Sequence, residues 1–137
     1  MMQRMSIGEF LGIVVGTVEE RTGIRCVDCP DGEESPFYSV EFVAPSEPAN
    51  TKTMFVERYR LWFHCIAAPV TPHSNAPVLR LVKTLEEALT RDIELPEPFW
   101  LNNQTYEGVQ ALNKDDSGEG HAVLSYVFEV CYGLICK

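Results

Sequence analysis

The stretch HAVLSYVFEVCYGLIC, His121 to Cys136, decides the fold. From Ala122 onward every second residue is apolar or aromatic: Ala122, Leu124, Tyr126, Phe128, Val130, Tyr132 and Leu134. The alternate set, His121, Val123, Ser125, Val127, Glu129 and Cys131, is mixed. A period of two marks a strand with one buried face, because successive side chains point to opposite sides. Unbroken, such a strand is roughly 50 Å long at ~3.3 Å per residue.

Upstream of it, Asn113 to Gly120 is a polar, Gly-bearing loop, and Thr105 to Leu112 reads as the strand that pairs back. Phe99-Trp100-Leu101 opens a further extended region behind Pro96-Glu97-Pro98. Lys52 to Ala67 is a second long strand. Phe55, Tyr59, Leu61, Phe63, Cys65 and Ala67 form one face, broken by Glu57; Arg58, Arg60, Trp62 and His64 form the other. Pro36 to Val43 alternates in the same way, and Ala44 to Asn50 connects the two into an antiparallel hairpin. Pro69 to Pro72 ends that hairpin.

Two helices complete the pattern. Ser6-Ile7-Gly8-Glu9 is a capping box, with Glu9 three residues after the capping hydroxyl. Ile7, Phe10, Leu11, Val14, Val15 and Val18 then recur at helical spacing, and Gly23 supplies the stop, which predicts a helix over 6–22. The second helix is capped by Ser74 or Asn75 and carries Pro77 in its first turn. Val78, Leu81, Val82, Leu85, Ala88 and Leu89 make its buried stripe, and it is expected to stop near Asp92. Ile24 to Val27 can start a strand before the Cys29-Pro30-Asp31-Gly32 turn.

The order α-β-β-α-β-β predicts a single α+β domain over 1–137. It is a two-layer sandwich: a mainly antiparallel sheet of about four long strands with two helices on one face. The other face is expected to be half-apolar, from Trp62, Ile66, Val123, Val127 and Val40 or Val43, and so to need a partner.

Composition narrows the functional classes. With 45% hydrophobic and 23% charged residues the chain can build a core. A net charge of −9 repels phosphate backbones, so specific nucleic-acid binding is not expected. No apolar run approaches the ~20 residues that span a bilayer, and no signal peptide is read in MMQRMSIGEF, where Met5 is an alternative start. Five cysteines, an odd count, fit a reducing compartment, with Cys65 and Cys131 as core residues.

No catalytic motif is present. Cys26-Val27-Asp28-Cys29 is a CxxC, but a second ligand pair for zinc is missing and a turn, not a helix, follows it. Cys26 and Cys29 are therefore weak metal or redox candidates, and no cofactor is expected. His64 and Cys65 are neighbours on a strand and point apart; His73 and His121 read as solvated loop or edge residues. Arg58 and Arg60 share a face suited to an anion or, more commonly, to cross-strand pairs with Glu. The densest polar stretches are Asp28 to Glu34 and the loop 113–120.

This layout resembles the tail-terminator and tail-completion proteins of long-tailed phages. The likeness rests on an N-terminal helix, a long hairpin, a helix carrying V-x-x-L-V-x-x-L-E-x-A-L over Val78 to Leu89, and a second long hairpin. The charged-aromatic strand Glu57 to Ala67 is most like that family, whereas Ile24 to Pro36 with its CxxC is not matched to it by this reading. The resemblance implies a non-enzymatic structural protein made in the cytoplasm and carried in the virion. It implies assembly with itself into a hexameric ring that closes the tail tube and meets a tail-tube or head-completion protein. Arg58, Arg60, Trp62, Asp115, Asp116 and Glu119 are then candidate interface residues, the acidic ones facing a lumen or a partner. Two other readings stand beside it: a small binding or enzymatic domain using Cys26 and Cys29, and a bacterial adaptor that binds a protein through its open sheet face.

Overall fold

The computed structural model describes residues 5–32, 34–43, 54–68, 75–114 and 119–133. The connection Ala44 to Asn50, the hairpin end Pro69 to Pro72, the alternative cap Ser74 and the last residues, Leu134 and Cys136 among them, lie outside the described residues.

Helix α1 (Ile7–Thr22) starts where its capping box places it. The Ser6 hydroxyl accepts from the Glu9 N–H at 3.1 Å and lies 3.4 Å from the Glu9 carboxylate. Gly23 ends the helix in the left-handed conformation, φ 72°, which glycine adopts without a Cβ clash. Phe10, Val14 and Val18 are buried; Leu11 and Val15 pack more loosely, and Ile7 is exposed.

Strand β1 (Cys26–Val27) runs parallel to β2 (Phe37–Val43), and β2 pairs antiparallel with β3 (Met54–Ala67) in the expected hairpin. Helix α2 (Ala76–Ala88) follows, then β4 (Trp100–Lys114) and β5 (Gly120–Gly133). The sheet order is β1-β2-β3-β5-β4. The sheet is therefore mixed and five-stranded, where four antiparallel strands were expected. The difference is β1: a two-residue strand carries too short a pattern to be counted as one. The extended region at Phe99 and the strand at Thr105 also merge into the single strand β4.

Both helices cover one face. Tyr38, Leu61, Phe63, Cys65, Leu124, Tyr126 and Phe128 stand beneath them and are buried. Phe10 stacks on Tyr59 at 4.8 Å between ring centroids and meets Phe128 edge-on at 5.5 Å. The Tyr38 hydroxyl donates to the Leu81 carbonyl at 2.7 Å, which ties α2 to β2 and satisfies a buried polar group.

Helix α2 ends at Ala88, a turn before the expected Asp92, because other groups take its last carbonyls. Arg21 donates to the carbonyl oxygens of Ala88, Arg91 and Asp92, and Gln104 of β4 donates to that of Leu89. At the other end Asn75 is the N-cap but makes no side-chain capping bond.

Candidate functional site

Strand β4 is an edge strand with register shifts between Leu101 and Asn103, Tyr106 and Gly108, and Val109 and Ala111. A bulge puts one extra residue into one strand, so the residue spacing on a face changes from two to three. Tyr106, Val109 and Leu112 accordingly all stand on the helix side, opposite Tyr126, Leu124 and Ala122. Gly108, φ 97°, takes the backbone conformation that the middle shift requires.

The residues at the shifts, Asn102, Glu107 and Gln110, serve the open face. Asn102 donates to Glu129, and the Glu107 carboxylate accepts from Arg60 at 2.9 and 3.1 Å and from Ser125 at 2.6 Å. Gln110 donates to the carbonyls of Glu107 and Gly108. Arg58 pairs directly across to Glu129 at 2.6 Å. The two arginines thus take cross-strand glutamates as partners, the commoner of the two uses expected for them.

These bonds set the local electrostatics. The Arg60 hydrogen bond, and then that of Ser125, hold the Glu107 carboxyl below the usual carboxylate range. Arg58 and then Asn102 do the same for Glu129, and Glu107 in turn raises Arg60. Val43, Arg60, Trp62, Glu107, Gln110 and Ser125 line a shallow groove of about 420 Å³ on this face.

A third polar chain crosses the same face. His64 Nε2 lies 2.7 Å from the Glu41 carboxylate, and His64 Nδ1 lies 2.8 Å from His121 Nε2. His121 is half-buried there and not a solvated edge residue, because neighbouring strands bring it diagonally against His64. The open face does carry the half-apolar set: Val43, Trp62, Ile66 and Val127 are half-buried there and Val123 is buried, while Val40 lies on the helix side.

The remaining candidates separate. Glu119 is half-buried just ahead of β5, while Asp115 and Asp116 lie outside the described residues. Cys26 is buried in the core and Cys29 is exposed, so the CxxC does not converge. Burial first, then the charges of Glu19 and Asp28, push the Cys26 thiol up to about 12, and burial does the same to Cys65. Among the described residues no His, Cys, Asp and Glu gather as metal ligands, and no helix is long and apolar enough to cross a membrane.

Exposed apolar residues were missed by the sequence reading. Among the described residues Ile7, Phe42, Leu79, Tyr106, Val109 and Leu112 are the large apolar side chains left open, all on the helix side or on a helix. Leu79 falls outside the helical stripe, but Tyr106, Val109 and Leu112 at intervals of three were a visible clue to a bulged strand.

The geometry defines a protein whose features are surfaces and edges. Over residues 1–137 it matches a phage tail-terminator family model described as "Putative tail termination protein". The chain belongs to this family and is a phage structural protein. Among solved structures it is similar to a chain of a "Virion of native gene transfer agent (GTA) particle". The TM-score is 0.60 at 16% identity, covering 82% of this chain and 83% of that one, a likeness of fold. No curated protein matches.

Proposed function

We propose that the protein is a tail terminator that acts by assembly: copies of it close into a ring at the end of the tail tube, at the head–tail junction. The observation that carries this is the family match over the whole chain. One structural feature supports it: apolar side chains stand open on both halves of the sheet. A ring needs such heterologous contacts, repeated about a closed rotation.

The resemblance makes the ring hexameric, with a tail-tube or head-completion protein as neighbour. A net charge of −9 suits a lumen through which DNA passes without adhering. The loop bearing Asp115, Asp116 and Glu119 is assigned to that lumen. In this reading the protein is made in the cytoplasm and ends in the virion. Light scattering with native mass spectrometry tests it, and the expected mass is six times that of one chain. A strict monomer at high concentration that also fails to cap tail tubes in electron micrographs overturns it.

A further inference from the structure

The six open apolar side chains among the described residues fall into two groups on opposite halves of the sheet. The first lies between α2 and β4. The Glu86 carboxylate accepts from the Tyr106 hydroxyl at 2.6 Å, the Leu89 carbonyl accepts from Gln104, and the Gly120 backbone sits against Val78. These contacts lay α2 along β4 in the opposite direction. Leu79, Lys83 and Glu86 share the flank of α2 that looks toward β4, since they stand four and seven residues apart. Leu79 is 49% exposed, Val109 48%, Leu112 43% and Tyr106 38%.

The second group gathers at Tyr59, on the β2–β3 half. Phe42 tilts against Tyr59 at 6.1 Å, and Ile7 stands one turn before Phe10, which stacks on the same ring. Strand β1 pairs only with Tyr38 and Ser39, so the outer edge of β2 from Val40 to Val43 has no strand partner among the described residues. The outer edge of β4 has none either.

The charges beside the groups differ. Next to the first, Arg80 and Lys83 are exposed on α2 and make no ion pair among the described residues. Next to the second, α1 presents the exposed carboxylate Glu9, two residues from Ile7. In a chain of net charge −9 most contacts between copies are repulsive. On the α2 flank the Glu86 carboxylate is taken by the Tyr106 hydroxyl, so meeting Arg80 and Lys83 with Glu9 lowers the repulsion at this contact.

We infer that the apolar patch along α2 and β4 is covered by a second copy of this chain, which lays its Phe42–Ile7 end against it, so that subunits join head to tail. Two unlike patches cannot satisfy each other across a two-fold axis; repeated head-to-tail contact makes a ring if the rotation closes. The inference rests on the assembly proposed above and adds which surfaces meet.

Two variants test it, both at exposed positions: Val109→Glu with Leu112→Glu, and Phe42→Glu with Ile7→Glu. Circular dichroism confirms that each is folded, and the milder pair Leu79→Ser and Phe42→Ser serves if either is not. Each variant alone is expected to run as a monomer at a concentration where the wild type is assembled. Mixed in equal amounts, they retain one good patch of each kind and are expected to give a dimer of twice the chain mass and nothing larger. Wild-type assembly by the Phe42 variant would show a two-fold contact through the α2–β4 patch alone and overturn the inference. Wild-type assembly by both variants, or no pairing on mixing, also overturns it while leaving the ring standing. A monomeric wild type instead removes the ring itself.

Discussion

The two faces of the sheet are closed by different physics. Under the helices, Phe63, Leu124, Tyr126 and Phe128 are buried by packing against Phe10, Leu85 and their neighbours. On the bare face the same strands are closed by side-chain bonds: Arg60 to Glu107, Arg58 to Glu129, and Glu41 through His64 to His121. Ser125 is only 1% exposed there, without a helix above it. A face can thus be partly covered without a helix when long polar side chains satisfy one another across the strands. The large apolar side chains that stay open among the described residues lie on the outer strands and on the flanks of the two helices.

The comparison breaks most directly at one position on each face. Phe63→Ala removes a fully buried ring that meets Tyr126 edge-on at 5.4 Å, and is expected to cost about 3–5 kcal/mol. Arg60→Ala, on the opposite side of the same strand, is expected to cost at most about 1 kcal/mol, because its ion pair is partly exposed. Urea denaturation of both variants gives the contrast. Equal losses would mean that the bare face carries as much stability as the packed one.

A glycine sharpens the packed side. A Cβ on Gly120 would stand 2.9 Å from Val78 Cβ, on a helix held at its far end by Arg21 and Gln104. Gly120→Ala is expected to lose about 1–3 kcal/mol as α2 is pushed off the sheet. Gly16→Ala, on the open side of α1 with nothing within 4 Å, is expected to gain about 0.5–1 kcal/mol from helix propensity. Thermal melts of the pair check the opposite signs.

The packed face was legible in the sequence and the bare face was not, for a definable reason. Periodicity reports which side chains need burial, so the stripes of α1 and α2 and the alternation of β3 and β5 were all readable. Register is a property of two strands at once. That Arg58 faces Glu129 follows from pairing, but that Arg60 finds Glu107 follows from a bulge that shifts Glu107 out of step. The same bulges carry Tyr106, Val109 and Leu112 to one side, and no alternation rule anticipates that. His121 looked solvated because its partner His64 lies 57 residues away. Of the interface candidates, Arg58 and Arg60 also have partners within the subunit, Glu129 and Glu107, which only the register reveals.

On the bare face itself, Ser125 separates a buried bond from an exposed one. Its hydroxyl is buried and donates to Glu107 at 2.6 Å. Ser125→Ala removes that donor while Arg60 still serves the carboxylate, so a loss of about 1 kcal/mol is expected. The loss should persist in high salt, since the bond is shielded from solvent. A loss that vanishes with added salt would place the whole stability of this spot in the Arg60 pair.

The smallest expected effect is the dependence on pH. Glu107 and Glu129 are held below the ordinary carboxylate value in the folded protein, chiefly by Arg60 and Arg58. A lowered folded pKa contributes stability that is fully present above the unfolded value, near about 4.3, and is lost as pH falls through the folded one. The advantage of wild type over Glu107→Gln should therefore be constant from neutral pH down to about 5 and shrink below about 4. With both partners partly exposed, its size is about 0–1 kcal/mol, reduced further at about 1 M salt by screening. Denaturation midpoints of the two proteins measured across that range decide it. A difference that stays constant into acid would mean that Glu107 acts through the shape of its bulge and not through its charge, and the bare face would then owe its closure to geometry alone.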